Sequence, residues 1–147
     1  GMTYDSVKFA GLTARIWGYL ISLGLIAPLL IKLKKTKKEY VIYALCLSAL
    51  ITFLFMSRIH ERYLYPFFPV ATILTAYRPK LLIPISILSL VHLMNLYHLF
   101  WVPNFSLWEN FYQNQKFMSV LSLIHIIIFV FLYWHYFFGY NKENIKK

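Results

Sequence analysis

The chain has 147 residues, of which 60% are hydrophobic and only 14% charged, with a mean hydropathy of +0.59. Soluble domains carry about a quarter charged residues, enough to coat their surface, so this composition excludes one and predicts an integral membrane protein. The formal charge of +10 does not indicate nucleic acid, because the lysines gather at the ends of apolar runs and form no soluble basic face.

The opening "GMTYDSVKFA" has no signal-peptide pattern, since the apolar run after it is long and ends in no small-residue cleavage site. The first apolar stretch runs from Leu12 to Leu33, a second from Tyr40 to Ser57, and a third from Leu64 to Tyr77. A fourth runs from Leu81 to Val102 and a fifth from Met118 to Gly139. A bilayer takes about 20 helical residues to cross, so four of the five fit. The third, with about 14 residues by the same rule, is expected to be short and broken by Pro66 and Pro69. The fold class predicted is all-α, a polytopic transmembrane helix bundle of about five spans, with residues 1–147 as one transmembrane domain. Cys46 is the only cysteine, so no internal disulfide forms, and its mid-span place suits a small core residue.

Sidedness follows from the basic residues. Lys32, Lys34, Lys35, Lys37 and Lys38 crowd the first loop, which is therefore expected in the cytoplasm. Alternation then places Arg78, Lys80, Lys142, Lys146 and Lys147 on the same side, and the C-terminus with them. The stretch "SRIHER" (Ser57 to Arg62) falls on the opposite face, against the usual charge bias. Its arginines are not topology anchors, and ionisable residues next to membrane spans are candidate sites by default.

In a helix, Arg58 and Arg62 are four apart and share a face. In an extended chain, Arg58, His60 and Arg62 point the same way. Either conformation brings two guanidinium forks together, a geometry suited to the several acceptor oxygens of a phosphate. Glu61 can hold the imidazole in one tautomer or pin a guanidinium. The same residues also suit an interfacial salt bridge with arginines snorkelling to headgroups. Tyr63 and Tyr65 fit either an interfacial belt or the wall of a cavity.

In the fourth stretch, His92, Asn95 and His98 are spaced three apart and form one polar stripe. The stripe can bond to neighbouring helices or wall the same cavity; it lacks the further ligand a metal site needs, so no metal is expected. His125 and His135 are ten residues apart and nearly opposite on their helix, and are not expected to act together. Trp101, Trp108, Phe111 and Tyr112 read as an aromatic belt or as rings over which a sugar stacks. There is no glycine-rich phosphate loop and no Gly-x-Ser-x-Gly elbow.

"HERYLYPFFPV" (His60 to Val70), followed about 30 residues on by "SLVHLMNLYHLFWVPN", resembles the C-terminal part of membrane-embedded C-type glycosyltransferases. Among these it is most similar to bacterial mannosyltransferases related to the second mannosyltransferase of GPI-anchor assembly. His60-Glu61 before a basic residue is also similar to the His-Glu-Lys motif of eukaryotic glucosyltransferases that extend lipid-linked oligosaccharides. The likeness covers Phe53 to Pro103, and the rest of the chain only as hydrophobic pattern.

The resemblance implies a hexosyltransferase that takes a sugar, mannose by this likeness, from a polyprenyl-phosphate donor. It passes the sugar to a glycan or lipid acceptor on the extracytoplasmic face, in a bacterial cytoplasmic membrane. Carried over, Arg58, His60 and Arg62 would bind the donor phosphate and Glu61 would orient them, with membrane lipid around the site and no cofactor. That family places its catalytic carboxylate early in a much longer chain. Here Glu39 and Glu143 fall on the cytoplasmic side, Asp5 has no matching context, Glu61 belongs to the phosphate motif, and Glu109 remains without one. The catalytic base is thus unassigned, and the chain is expected to be the C-terminal part of a larger enzyme, inactive without its further N-terminal spans. Two other classes stay open: a small lipid-binding scaffold, and a transporter fragment for a lipid-linked substrate, the latter resting on the short third span.

Overall fold

The computed structural model describes residues 8–33, 37–56, 61–100 and 114–139, with Glu61, Arg62 and residues 97–100 described by backbone alone. The fold is all-α and largely membrane-spanning, apart from one two-residue hairpin. Among the described residues five α-helices occur: α1 (Ala14–Lys32), α2 (Lys38–Phe55), α3 (Phe67–Tyr77), α4 (Leu82–Phe100) and α5 (Gln115–Trp134). Among the described residues four stretches are long and apolar enough to cross a bilayer: α1, α2, Pro79–Leu96, which runs from a 3₁₀ turn into α4, and α5 with the π-helical turn His135–Gly139 that extends it. The chain divides into two compact units, Gly1–Tyr77 and Arg78–Lys147.

The first unit opens on a hairpin that sequence pattern does not reveal. Strands β1 (Lys8–Phe9) and β2 (Leu12–Thr13) pair antiparallel, Lys8 with Thr13 and Phe9 with Leu12. Both turn residues are left-handed, Ala10 at φ 49° and Gly11 at φ 81°, the backbone a two-residue hairpin turn requires. Thr13 then caps α1, its hydroxyl accepting from the Ile16 N–H at 3.4 Å. The Trp17 indole donates to the Phe9 carbonyl at 2.8 Å and latches the hairpin to the helix.

α1 and α2 are antiparallel. Lys32, in the last turn of α1, lies 5.5 Å from the Tyr40 ring centroid near the start of α2. Gly18, near the start of α1, meets Phe55 and Met56 at the end of α2. α2 also packs against α3, so its buried residues, Tyr40, Tyr43, Ala44, Cys46, Leu47, Leu50 and Ile51, wrap much of its circumference. Cys46 is buried there, as its mid-span place predicts.

The third apolar stretch is corrected by the structure. α3 has 11 residues, about 16 Å of helix at 1.5 Å per residue, half the hydrocarbon thickness. Among the described residues there are therefore four long candidate spans, and the expected fifth is this short helix. Nor is it broken. Pro66 lies in the turn before α3, and Pro69 occupies its first turn, where a helix needs no N–H donor. The prolines start the helix. Phe67, Ala71 and Leu74 form its buried stripe.

In the second unit α4 and α5 pack together. α4 buries Ile85, Leu88, Val91, His92 and Leu96, and α5 buries Leu121, His125, Ile128, Phe129 and Leu132. Apart from the adjacent pairs Val91–His92 and Ile128–Phe129, both series step by three or four residues, the period of one helical face. Several hydroxyls within the helices are satisfied locally, while that of Ser22, buried in α1, has no hydrogen-bond partner. Thr52 donates to the Ser48 carbonyl at 2.8 Å, Ser119 to Gln115 at 3.0 Å and Ser122 to Met118 at 3.1 Å, as apolar surroundings demand.

Candidate functional site

The charged run begins where α2 ends. Met56 leaves the helix with extended backbone, φ −83° and ψ 134°, while its N–H still bonds to the Thr52 carbonyl at 3.1 Å. Arg58 and His60 lie outside the described residues. Glu61 and Arg62 enter a 3₁₀ turn, Glu61–Leu64, which packs against α2. Leu64 is fully buried and serves as the turn's apolar anchor, whereas Tyr63 and Tyr65 are exposed. Tyr65 accepts from the Phe68 N–H at 3.2 Å and joins the turn to α3. Glu61 and Arg62 thus sit in a turn that precedes the short helix α3.

No family model, no curated protein and no solved structure matches this chain.

Of the polar stripe of the fourth stretch, His92 and Asn95 are described with their side chains. His98 falls among the residues described by backbone alone, and Asn95 is half-buried on α4. His92 is 1% exposed, and its neighbour in space is His125 of α5, itself 4% exposed. Their ring centroids are 6.1 Å apart and their planes 79° from parallel, an edge-to-face arrangement. His125 Nδ1 lies 2.9 Å from the Leu121 carbonyl. A carbonyl only accepts, so Nδ1 carries the proton of the neutral ring and Nε2 is its acceptor nitrogen.

Sequence spacing had linked His92 to Asn95 and His98, and had set His125 only against His135. The pair that forms joins two helices, and spacing along one helix cannot report it. A signal was available: large aliphatics flank both histidines at three and four residues, Leu88 and Leu96 around His92, Leu121 and Ile128 around His125. That pattern marks both as facing a core. Among the described residues no group of three or more His, Cys, Asp or Glu comes together to hold a metal. Trp101, Trp108, Phe111 and Tyr112 lie outside the described residues.

Proposed function

We propose that this chain is the membrane segment of a glycosyltransferase that uses a polyprenyl-phosphate-linked sugar, mannose by resemblance, on the extracytoplasmic face. The observation that carries the reading is the run His60-Glu61-Arg62-Tyr63-Leu64 with its setting. The run ends in an anchored turn at the end of a long apolar helix, with exposed Tyr63 and Tyr65 beside it. A lipid-linked phosphate lies at that depth, its chain in the hydrocarbon and its charge at the border. Arg58, His60 and Arg62 are the donor-phosphate ligands in this reading, and Glu61 orients them.

The chemistry is a displacement at the anomeric carbon. The acceptor oxygen forms the new bond, the sugar–phosphate bond breaks, and the electron pair leaves on the phosphate. Cations fixed at the phosphate stabilise the charge that develops there. The acceptor proton goes to a base outside the residues assigned here, on further spans of the same protein. The Lys32–Lys38 loop and the C-terminus are cytoplasmic in this arrangement. The transporter reading rested on a short, proline-broken third span; α3 is short but continuous.

The test is sugar transfer from polyprenyl-phosphate-mannose by the complete protein. Arg62→Ala is expected to lose about 2 to 4 kcal/mol of transition-state stabilisation, as for other preorganised donors. Arg62→Lys keeps the charge but loses the fork, and is expected to fall between the two. Unchanged turnover in Arg62→Ala would leave headgroup snorkelling as the role of these arginines.

A further inference from the structure

We propose that the hairpin of residues 8–13 is a membrane-interface anchor. It lies at the border of the bilayer with one face in the lipid and the other toward the headgroups, and it holds the start of α1 at that depth. Its ligand is the lipid surface itself, whichever reaction the protein serves.

The strand pairing gives the hairpin two unlike faces. Residues paired across an antiparallel ladder share a face, and neighbours along a strand point to opposite faces. Phe9 pairs with Leu12, and Lys8 with Thr13. Phe9 and Leu12 therefore form an apolar face, and Lys8 and Thr13 a polar one. Phe9 is 74% exposed, more than any other large apolar side chain among the described residues. Lys8 is exposed on the opposite face.

The helix that follows sets the depth of this small sheet. α1 has 19 residues, about 28 Å at 1.5 Å each, which matches a hydrocarbon core of about 30 Å. With α1 spanning that core, Ala14 stands at its edge, and the hairpin joined to it stands in the polar layer, about 5 to 7 Å thick on each side. The hairpin does not rise away from the membrane. Trp17, in the first turn of α1, donates its indole N–H to the Phe9 carbonyl at 2.8 Å, and the two rings stand 6.3 Å apart. Phe9 is therefore folded back beside the first turn of the helix. Thr13, the last residue of the hairpin, caps the same turn.

Two opposing demands keep it there. The Phe9, Leu12 and Trp17 side chains gain by leaving water. The outward N–H and C=O groups of a two-stranded sheet lie outside its ladder, and neither they nor the Lys8 ammonium can enter hydrocarbon, where nothing meets them. The border between oil and headgroups satisfies both demands, and aromatic rings collect at that level for the same reason. α1 has most need of such a contact, because it is the least buried of the four candidate spans. A helix with few protein neighbours takes its position in the bilayer from its interfacial anchors.

Nitroxide labels read the depth, on the 147-residue chain with Cys46→Ser, in nanodiscs of phosphatidylcholine and phosphatidylglycerol. Single labels replace Lys8, Phe9 or Leu12, and collisions with oxygen are compared with collisions with a water-soluble nickel chelate. Labels at Phe9 and Leu12 are expected about 5 to 10 Å below the phosphates, as for an apolar face lying in the interface. The label at Lys8 is expected at the phosphates or above them. Nickel access at all three positions would place the hairpin in water and overturn the inference. Shielding of Phe9 and Leu12 from both probes would mean that protein covers this face, and would overturn it as well.

A second arm separates an anchor from a passive contact. A label at Leu20, exposed on α1, reports the depth of the helix in phosphatidylcholines of increasing chain length. With Phe9 intact, its depth below the near phosphates is expected to stay constant as the bilayer thickens. Phe9→Ser, at an exposed position, should let the Leu20 label sink as the chains lengthen, and should lift a label at Leu12 to the depth of Lys8. Sinking of the Leu20 label with Phe9 intact, or constant depth in Phe9→Ser, would overturn the anchoring role.

Discussion

The two units solve one problem in different ways. Each must join long apolar helices where burial of oil gives little drive, since lipid is as apolar as the seam. In the first unit α1 and α2 meet by subtraction. Gly18 removes a side chain, and backbone touches backbone at Phe55 and Met56. In the second, α4 and α5 meet by addition. Bulky side chains fill the seam, and two imidazoles stand edge to face in its middle. A backbone contact fixes a distance, and the unit that has one is the unit that carries the charged turn. A side-chain seam can repack, and its polar groups supply specificity.

The largest expected effect tests the antiparallel α1–α2 pair as a membrane hairpin. Single cysteines at Ser57 and at Thr36, in a Cys46→Ser background, should react with an impermeant reagent from opposite sides of the membrane. The result is all or none. Reaction of both from one side of intact cells would break the description of the first unit as two crossing helices.

Next is the seam of the second unit. His92→Leu and His125→Leu are each expected to lower stability by roughly 1 to 2 kcal/mol in a denaturant titration, by loss of interhelical contact. The double variant should lose less than the sum, with a coupling of about 0.6 kcal/mol and at most about 1.7. Strict additivity would mean that the rings are neighbours without being partners. The second unit would then be a purely apolar seam.

Smaller again is the latch on the hairpin. Trp17→Phe keeps a ring beside Phe9 but removes the N–H donated to its carbonyl. The expected loss is about 1 kcal/mol, confined to residues 8–13. Amide exchange should quicken in the hairpin and not in α2. Faster exchange throughout the first unit would show that the latch, and not Gly18, holds α1 in place.

These differences also show what sequence can carry. Hydropathy and length located the four long helices to within a few residues, because lipid imposes one thickness on every span. The charged run was visible because charge beside lipid is costly and therefore rare. Pro66 and Pro69 were misread, since a proline breaks a helix only when its neighbours are already helical, and here they precede or open it. The hairpin was missed because two-residue strands have no period to detect, and Gly11 alone does not specify a turn. Spacing along one helix does not report which face meets another helix, so His92 and His125 stayed apart. Gly18 was not legible, because a glycine within an apolar run does not name the backbone it will meet on another helix.

The smallest expected effect is also the one that best separates the two faces of α1. Gly24 is exposed, and an added Cβ meets nothing. Glycine in a helix costs roughly 0.5 to 1 kcal/mol relative to alanine through its freedom in the unfolded chain. Gly24→Ala should therefore leave this chain unharmed or raise its stability by that amount, the reverse of Gly18→Ala on the same helix. Pro28 lies four residues on and removes the N–H that would bond to the Gly24 carbonyl. A bare glycine facing a carbonyl so released is a place where another helix can come close. Only 17% of the α1 window is buried, against 39% for α2, so α1 has surface to offer. If further spans of a longer protein pack there, Gly24→Ala will be neutral or stabilising in the 147-residue chain and costly in the complete protein. The comparison needs both proteins in the same lipid and one denaturant titration each. Equal, small gains in both would mean that lipid, and not protein, covers this face of α1.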